Sequence, residues 1–158
     1  MLILVVSDSH GRSDAMLSLV AVRQPDLFIH LGDNQRDVQA IAREWPELPI
    51  LSVPGNCDFS RESSVITYSC GRVTLYAVHG HQYGVKSGTE RLVGAARAAG
   101  AHIALFGHTH MSHNEDVGGL LLFNPGSISL PRVGSPTYGL IEIDGEKMAA
   151  QIVPYLRT

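Results

Sequence analysis

Five short strings of Asp, His and Asn punctuate the first 110 residues of this 158-residue chain. They read Asp8-Ser9-His10-Gly11, Gly32-Asp33-Asn34, Gly55-Asn56-Cys57-Asp58, His79-Gly80-His81 and Gly107-His108-Thr109-His110. Together they offer enough oxygen and nitrogen donors for two metal ions, and a carboxylate–imidazole mixture suits borderline ions such as Mn, Fe, Ni or Zn. Paired divalent ions suit the cleavage of phosphate esters, because both hold phosphate oxygens while a metal-bound hydroxide attacks. Asp33 has two carboxylate oxygens and could serve both ions, which no imidazole can do. Asp8 and His10 stand two apart at a strand end, and the spacing sends both side chains to one side. The same argument applies to His108 and His110 if that chain is extended, a moderately specific metal signal.

Taken singly, each residue has a plainer reading. Asp8 is a turn-capping carboxylate, Asp33 and Asn56 are turn residues, and His79 is a structural histidine at a strand end. Their joint occurrence, in order and at successive strand ends, favours the metal reading. His30 and His102 fall inside or at the start of apolar strand patterns and read as packing or supporting histidines. His113 reads as exposed and outside the site.

The elements that must position these residues are legible in the apolar pattern. Leu2–Ser7 is a continuous apolar run and predicts a buried, central strand. From Ser13 to Arg23, apolar residues at Ala15, Met16, Leu19, Val20 and Val22 predict an amphipathic helix. A strand over Asp26–Leu31, a helix over Gln35–Glu44 stopped by Trp45-Pro46, and a strand over Pro49–Val53 follow. The first third is thus β-α-β-α-β, which implies parallel strands with right-handed crossovers. Beyond Asp58, Val65–Tyr68 and Val73–Val78 predict a hairpin around Cys70-Gly71. Ser87-Gly88-Thr89-Glu90 has capping-box spacing ahead of a helix to Ala99, with Gly100 ending it. Strands are expected over Ile103–Phe106, Ser112–Asp116, Leu120–Phe123, Thr137–Ile143 and Met148–Pro154. The class is α/β, with an antiparallel-rich second half, and two face-to-face sheets with helices outside would accommodate it. The motifs lie just past the C-terminal ends of predicted strands, the edge where open α/β sheets bind ligands.

Composition sets the limits. The length fits one domain spanning residues 1–158, and 44% hydrophobic with 17% charged residues is ordinary for a globular protein. A formal charge of −3 gives no broad basic surface, so strong nucleic-acid binding is not expected. The apolar start is too short for a signal peptide and has no basic residue ahead of it. No segment reaches the roughly 20 apolar residues that span a bilayer, so no membrane association is expected. Two cysteines, Cys57 and Cys70, are too few for a disulfide framework and make a reducing cytoplasm the expected location.

The order Asp-x-His, Gly-Asp, Gly-Asn-x-Asp, His-Gly-His and Gly-His-Thr-His resembles the calcineurin-like metallophosphoesterases, and most of all their small single-domain bacterial and archaeal phosphodiesterase branch. Asn124-Pro125-Gly126-Ser127 with Pro131-Arg132, and Tyr138-Gly139, resemble that branch too, so the likeness covers nearly the whole chain. It implies a four-layer α-β-β-α sandwich. It implies one metal on Asp8, His10, Asp33 and His110, and a second on Asp33, Asn56, His79 and His108, roughly 3.5–4 Å apart. It further implies a bridging hydroxide as in-line nucleophile, its pKa lowered by the metals, and a small, nucleotide-like phosphodiester as substrate. Manganese is the first expectation, with Ni, Co, Fe or Zn as alternatives, and relatives in the branch are often dimers or higher homo-oligomers.

The chain departs from many larger family members at Cys57, where they carry a His that binds phosphate or protonates the leaving group. Cys57 is a candidate catalytic residue that favours diesters over monoesters; its plainer reading is an inert turn thiol. His81, the other catalytic candidate, either assists the leaving group, supports a ligand, or is simply hydrogen-bonded near the mouth. Asp58 either orients a neighbour or is a turn carboxylate. Arg12 either touches phosphate or is a solvated helix-start residue, and Asn124–Arg132 either shapes the rim or serves packing. Two other readings compete: a non-catalytic scaffold of the same fold, which a eukaryotic retromer subunit resembles, and a phosphomonoesterase or protein phosphatase.

Overall fold

The computed structural model describes residues 1–156. β1 (Leu2–Val6) is buried along nearly its whole length, and its alternation divides the molecule into layers. Ile3 and Val5 point into the core between two sheets. Leu4 and Val6 point the other way, into the core beneath the first two helices. A run buried on both faces is what a central parallel strand requires.

The first sheet has the order β10-β9-β1-β2-β3. β2 (Leu27–His30) and β3 (Ile50–Ser52) run parallel to β1. β9 (Thr137–Asp144) returns antiparallel on the other side of β1, and β10 (Lys147–Pro154) completes a hairpin with it. The second sheet has the order β4-β5-β6-β8-β7. β5 (Val73–Val78), β6 (Ile103–Leu105) and β8 (Leu120–Asn124) are parallel, flanked by antiparallel β4 (Val65–Cys70) and β7 (His113–Val117). α1 (Ser13–Arg23) and α2 (Val38–Glu44) cover the first sheet, and α3 (Glu90–Ala98) covers the second. The result is the four-layer α-β-β-α sandwich, with three apolar clusters filling its three interfaces. The C-terminal ends of β1, β2, β3, β5 and β6 carry the five Asp, His and Asn strings.

Several elements differ from the sequence reading. The helix expected over Gln35–Glu44 begins as a 3-10 turn at Gln35–Asp37 before α2 proper. The reason is local: Asn34 is left-handed at φ 78°, and the amides of Asn34 and Gln35 are held by the Asp58 carboxylate. The Ser87 capping box does not form. α3 starts at Glu90 behind Thr89, with no side-chain cap, and Ser87 lies too far back to reach its first amides. Val22, counted into the apolar stripe of α1, is 72% exposed. Cys57 and Cys70 are both free thiols. Among the described residues, no helix is long and apolar enough to cross a membrane.

Gly139 of β9 lies directly against Phe123 of β8 in the opposite sheet. A Cβ there would sit 2.4 Å from Phe123 Cε1 and 2.8 Å from Cζ, and Phe123 is wholly buried. Overpacking a filled core costs about 1–3 kcal/mol. Gly139→Ala is therefore expected to lower the urea midpoint at unchanged m-value; an unaltered midpoint would mean that the ring has room to move.

Candidate metal centre

Beyond Val6 the chain turns sharply, and Asp8 is completely buried at φ 53°. Its Oδ2 accepts the Ser7 hydroxyl at 2.6 Å and the His108 amide at 3.2 Å. Its Oδ1 is buried and accepts no hydrogen bond, yet it faces His110 Nε2 at 3.2 Å. His110 Nδ1 lies 2.7 Å from the Leu130 carbonyl, a contact that requires a proton on Nδ1. In the neutral ring, Nε2 therefore turns a lone pair toward Asp8. His10 Nε2 lies 3.4 Å from the same nitrogen and 3.8 Å from Asp33 Oδ2. One donor atom each from Asp8, His10, Asp33 and His110 falls within 4.8 Å of all the others. Acceptors aimed at acceptors in a buried site are costly unless a proton or a cation lies among them.

A second cluster repeats the pattern. His79 is fully buried, and its Nδ1 donates to the Leu31 carbonyl at 2.6 Å. That leaves Nε2 facing Asn56 Oδ1 at 3.1 Å and Asp33 Oδ1 at 3.5 Å. The ring of His108 stands 5.0 Å from that of His79, centroid to centroid. Asp33 thus turns Oδ1 to one cluster and Oδ2 to the other. The mixed carboxylate, amide and imidazole donors of both clusters fit divalent cations of borderline softness, and His79 and His110 each have their tautomer set by a carbonyl, as ligating histidines do.

The loops that carry these donors are strained. Asp8, His10, Asp33, Asn34, His108 and His110 all have positive φ, a conformation that costs a non-glycine residue about 1–2 kcal/mol. Fixed hydrogen bonds hold them there. Asp58 accepts four backbone amides: Asp33 and Gly55 on Oδ2, Asn34 and Gln35 on Oδ1, all at 2.8–3.0 Å. It ties the loop after β3 to the loop after β2. Gly55 is needed at this junction, since a Cβ there would fall 2.1 Å from Asp33 Oδ1. His30 Nδ1 accepts the Gly32 amide, Nε2 donates to Ser9 Oγ at 3.0 Å, and Ser9 donates to Asp37 at 2.7 Å. Ser127 and Ser129 both donate to the Asp8 carbonyl at 2.9 Å. Asn124 donates to the Gly107 carbonyl and to Thr109 Oγ1.

The structure brings together Asp8, His10, Asp33 and His110 in one cluster, and Asp33, Asn56, His79 and His108 in the other. The route differs from the one the spacing suggested. His108 and His110 are left-handed rather than extended, so their rings part, His110 toward Asp8 and His108 toward His79. Asp8 and His10 likewise converge through positive φ, not through strand pleat. His81 lies outside the inner ring, exposed, with its centroid 5.5 Å from His79 and 6.1 Å from His108. Cys57 is exposed, and its amide donates to Asp33 Oδ1 at 3.0 Å. His102 does not support the site: it is exposed and accepts the Thr74 amide. His113 is half-buried and pairs with Glu115 at 2.8 Å, and Arg12 pairs with Asp14 at 3.0 Å. Sequence reasoning missed Ser7 and Asp37, which carry no local signal. Of the two readings of Asp58, orienting a neighbour is the one its four amides support, and the Asn124–Ser127 string, expected to shape the rim or serve packing, holds the donor loops instead.

Burial opposes ionisation of Asp8, but the close approach of His110, then His79 and the Ser7 hydroxyl, outweigh it and hold the carboxyl below its ordinary value. The Asp8 carboxylate facing Nε2 favours a proton there and raises His110 against the effect of burial. Burial, then His79 and Lys86, push His108 down to about 4. Burial and then His79 lower His81. Burial and the nearby carboxylates of Asp33, Asp58 and Asp8 raise the Cys57 thiol.

Residues 1–146 match the calcineurin-like phosphoesterase superfamily domain. The chain is 32% identical over 148 residues to the probable metallophosphoesterase YsnB of Bacillus subtilis, covering 91% of this chain and 85% of that one. It is 25% identical over 170 residues to phosphodiesterase YfcE of Escherichia coli, covering 91% and 89%. A predicted phosphoesterase from Streptococcus pneumoniae superposes with a TM-score of 0.84 at 29% identity, over 98% of this chain and 89% of that one.

Two outcomes follow from the supporting contacts. Asp58→Ala leaves four amides without their acceptor and should weaken Mn²⁺ binding about 10–100-fold by calorimetry; unchanged affinity in a folded variant would remove its positioning role. Burial pushes His30 down to about 4, while the unfolded ring titrates near 6.5. Between those values the unfolded state holds more protons, so the stability His30 allows is complete above pH 6.5 and declines as pH falls toward 4. From pH 7.5 to 5 the loss should be about 2 kcal/mol, and His30→Gln should flatten that slope in urea unfolding. An identical slope in the variant would assign the pH dependence to other groups.

Proposed function

The chain belongs to the calcineurin-like phosphoesterase superfamily, and on that premise we propose that it is a dinuclear-metal phosphodiesterase acting on small phosphodiesters. The observation that carries this reading is the division of the Asp33 carboxylate, Oδ2 toward His10 and Oδ1 toward His79. We assign one ion to Asp8, His10, Asp33 and His110, and a second to Asp33, Asn56, His79 and His108. Two divalent ions supply Lewis acidity, neutralising phosphate oxygens and lowering the pKa of an attacking water. Manganese is our first candidate, and Ni, Co, Fe or Zn suit the same donors.

The protein's own groups account for orientation and selectivity. Asp58, His30 with Ser9, and the Ser127–Ser129 pair hold the donor loops rigid, so the phosphate meets a preorganised site. His81, exposed beside His79 and His108, is our candidate for a hydrogen bond to the leaving-group oxygen. Cys57 supports the diester preference: a neutral thiol offers no positive charge to the second negative charge of a monoester dianion, which an imidazolium would. The phosphodiesterase name of YfcE points the same way. Free Cys57 and Cys70 thiols suit a reducing cytoplasm as the site of action.

Metal-stripped protein should cleave a bis-aryl phosphate diester only after Mn²⁺ is added, with weak cleavage of the matching monoester. Cys57→His should raise monoester relative to diester turnover at least about tenfold. An unshifted ratio would remove Cys57 from substrate selection. No turnover with Mn, Ni, Co or Zn, despite metal binding, would leave a scaffold of this fold.

A further inference from the structure

A groove of about 580 Å³ opens at the end of the first sheet away from the metal centre. The donor strings follow the C-terminal ends of β2 and β3. This groove lies where those two strands begin, at Asp26 and Pro49, and where α1 and α2 end, at Gln24 and Trp45. Its volume lies within the ~300–1,000 Å³ of small-molecule sites. None of the metal-donor residues lines it, so the phosphodiesterase reading makes no use of it.

The floor of the groove is apolar. Trp45 and Leu48 line it while packing, partly buried, on the core beneath α1 and α2. Pro25, Pro46 and Pro49 also line it, and their fixed φ stiffens the chain there. The rim is acidic. Asp26, Glu44 and Glu47 stand in the wall, with no Lys, Arg or His among the lining residues. Glu44 and Glu47 make no ion pair and accept no hydrogen bond among the described residues, and Asp26 is engaged only by the Leu2 amide at 2.6 Å. Arg23, the basic residue in the last turn of α1, is turned to the Tyr138 hydroxyl at 2.9 Å instead. The end of α1 adds to the negative field. Pro25 has no N–H to offer the Ala21 carbonyl in the groove wall, and a helix C-terminus carries partial negative charge.

Charge and lining together select the occupant. An uncompensated acidic rim around an aromatic floor repels a phosphate and attracts a cation with an apolar body. Two carboxylates are free, so a ligand with a cationic group at each end satisfies both. We propose that this groove binds an aliphatic diamine. Its methylene chain would lie along Trp45 and Leu48, and its ammonium groups would meet Glu44 and Glu47. An ammonium close to the indole face gains further from the ring quadrupole.

Trp45 is the only tryptophan of the chain, so its emission reports on the groove directly. Metal-free protein should be titrated with pentamethylenediamine, pentylamine and pentanol, followed by fluorescence and, in parallel, by calorimetry. Omitting the metal keeps the amines from chelating it and makes the result independent of the phosphodiesterase reading. The diamine should bind saturably, about fivefold tighter than pentylamine, and pentylamine about fivefold tighter than pentanol, since one exposed ion pair supplies no more than that. The double variant Glu44→Gln, Glu47→Gln keeps the tryptophan and should bring all three ligands to nearly the same affinity. No saturable signal in either measurement, equal binding of diamine and pentanol, or a preference for the diamine that survives the double variant would overturn the site. Equal binding of diamine and pentylamine would overturn its two-ended character.

Discussion

Lone pairs facing lone pairs in a buried place are the constraint on which this structure turns. Asp8 Oδ1 has no hydrogen bond and looks at His110 Nε2, whose own proton is committed to Leu130 on the far side of the ring. His79 repeats the arrangement: its proton goes to Leu31, and its free nitrogen looks at Asn56 and Asp33. Burying acceptors against acceptors is unfavourable; a proton on His110, which Asp8 favours, relieves the first cluster, whereas in the second burial resists a charge on His108, held down to about 4. Cations between the facing groups would turn both clusters from a cost into a source of stability.

The rest of the molecule can be understood as the means of holding that arrangement in place. Parallel strands in each sheet bring five loops to one edge. Six left-handed residues then aim the donors inward, and no strand or helix periodicity could have done so. Such backbone persists only where its surroundings overdetermine it. Here those surroundings are Asp58 with its four amides, the His30–Ser9–Asp37 relay, and two serine hydroxyls on one carbonyl. Much of the polar chemistry around the site serves the backbone.

What was legible in the sequence follows from this division. Leu2–Val6, Leu27–His30 and Ile103–Leu105 declare themselves as buried strands because nothing polar interrupts them, and the α1 boundaries at Ser13 and Arg23 are read correctly from the apolar period. The donor residues could be gathered from their order and their glycines. How they converge could not be read, because positive φ at His108 and His110 leaves no periodic trace. Asp58 looks like any turn carboxylate until its four amides, drawn from two separate loops, are seen together. Ser7 and Asp37 act through single contacts across the fold, for which a linear chain gives no sign. The capping box at Ser87 failed for the opposite reason: a local signal was present, but the helix starts later than the signal implied.

The central claim is that one carboxylate, Asp33, stands between two cations. Crystals grown with Mn²⁺ and measured for anomalous scattering at the manganese edge test it most directly. Two peaks are expected on either side of the Asp33 carboxylate, one beside Asp8, His10 and His110, the other beside Asn56, His79 and His108. A single peak, or two peaks that do not share Asp33, would contradict it.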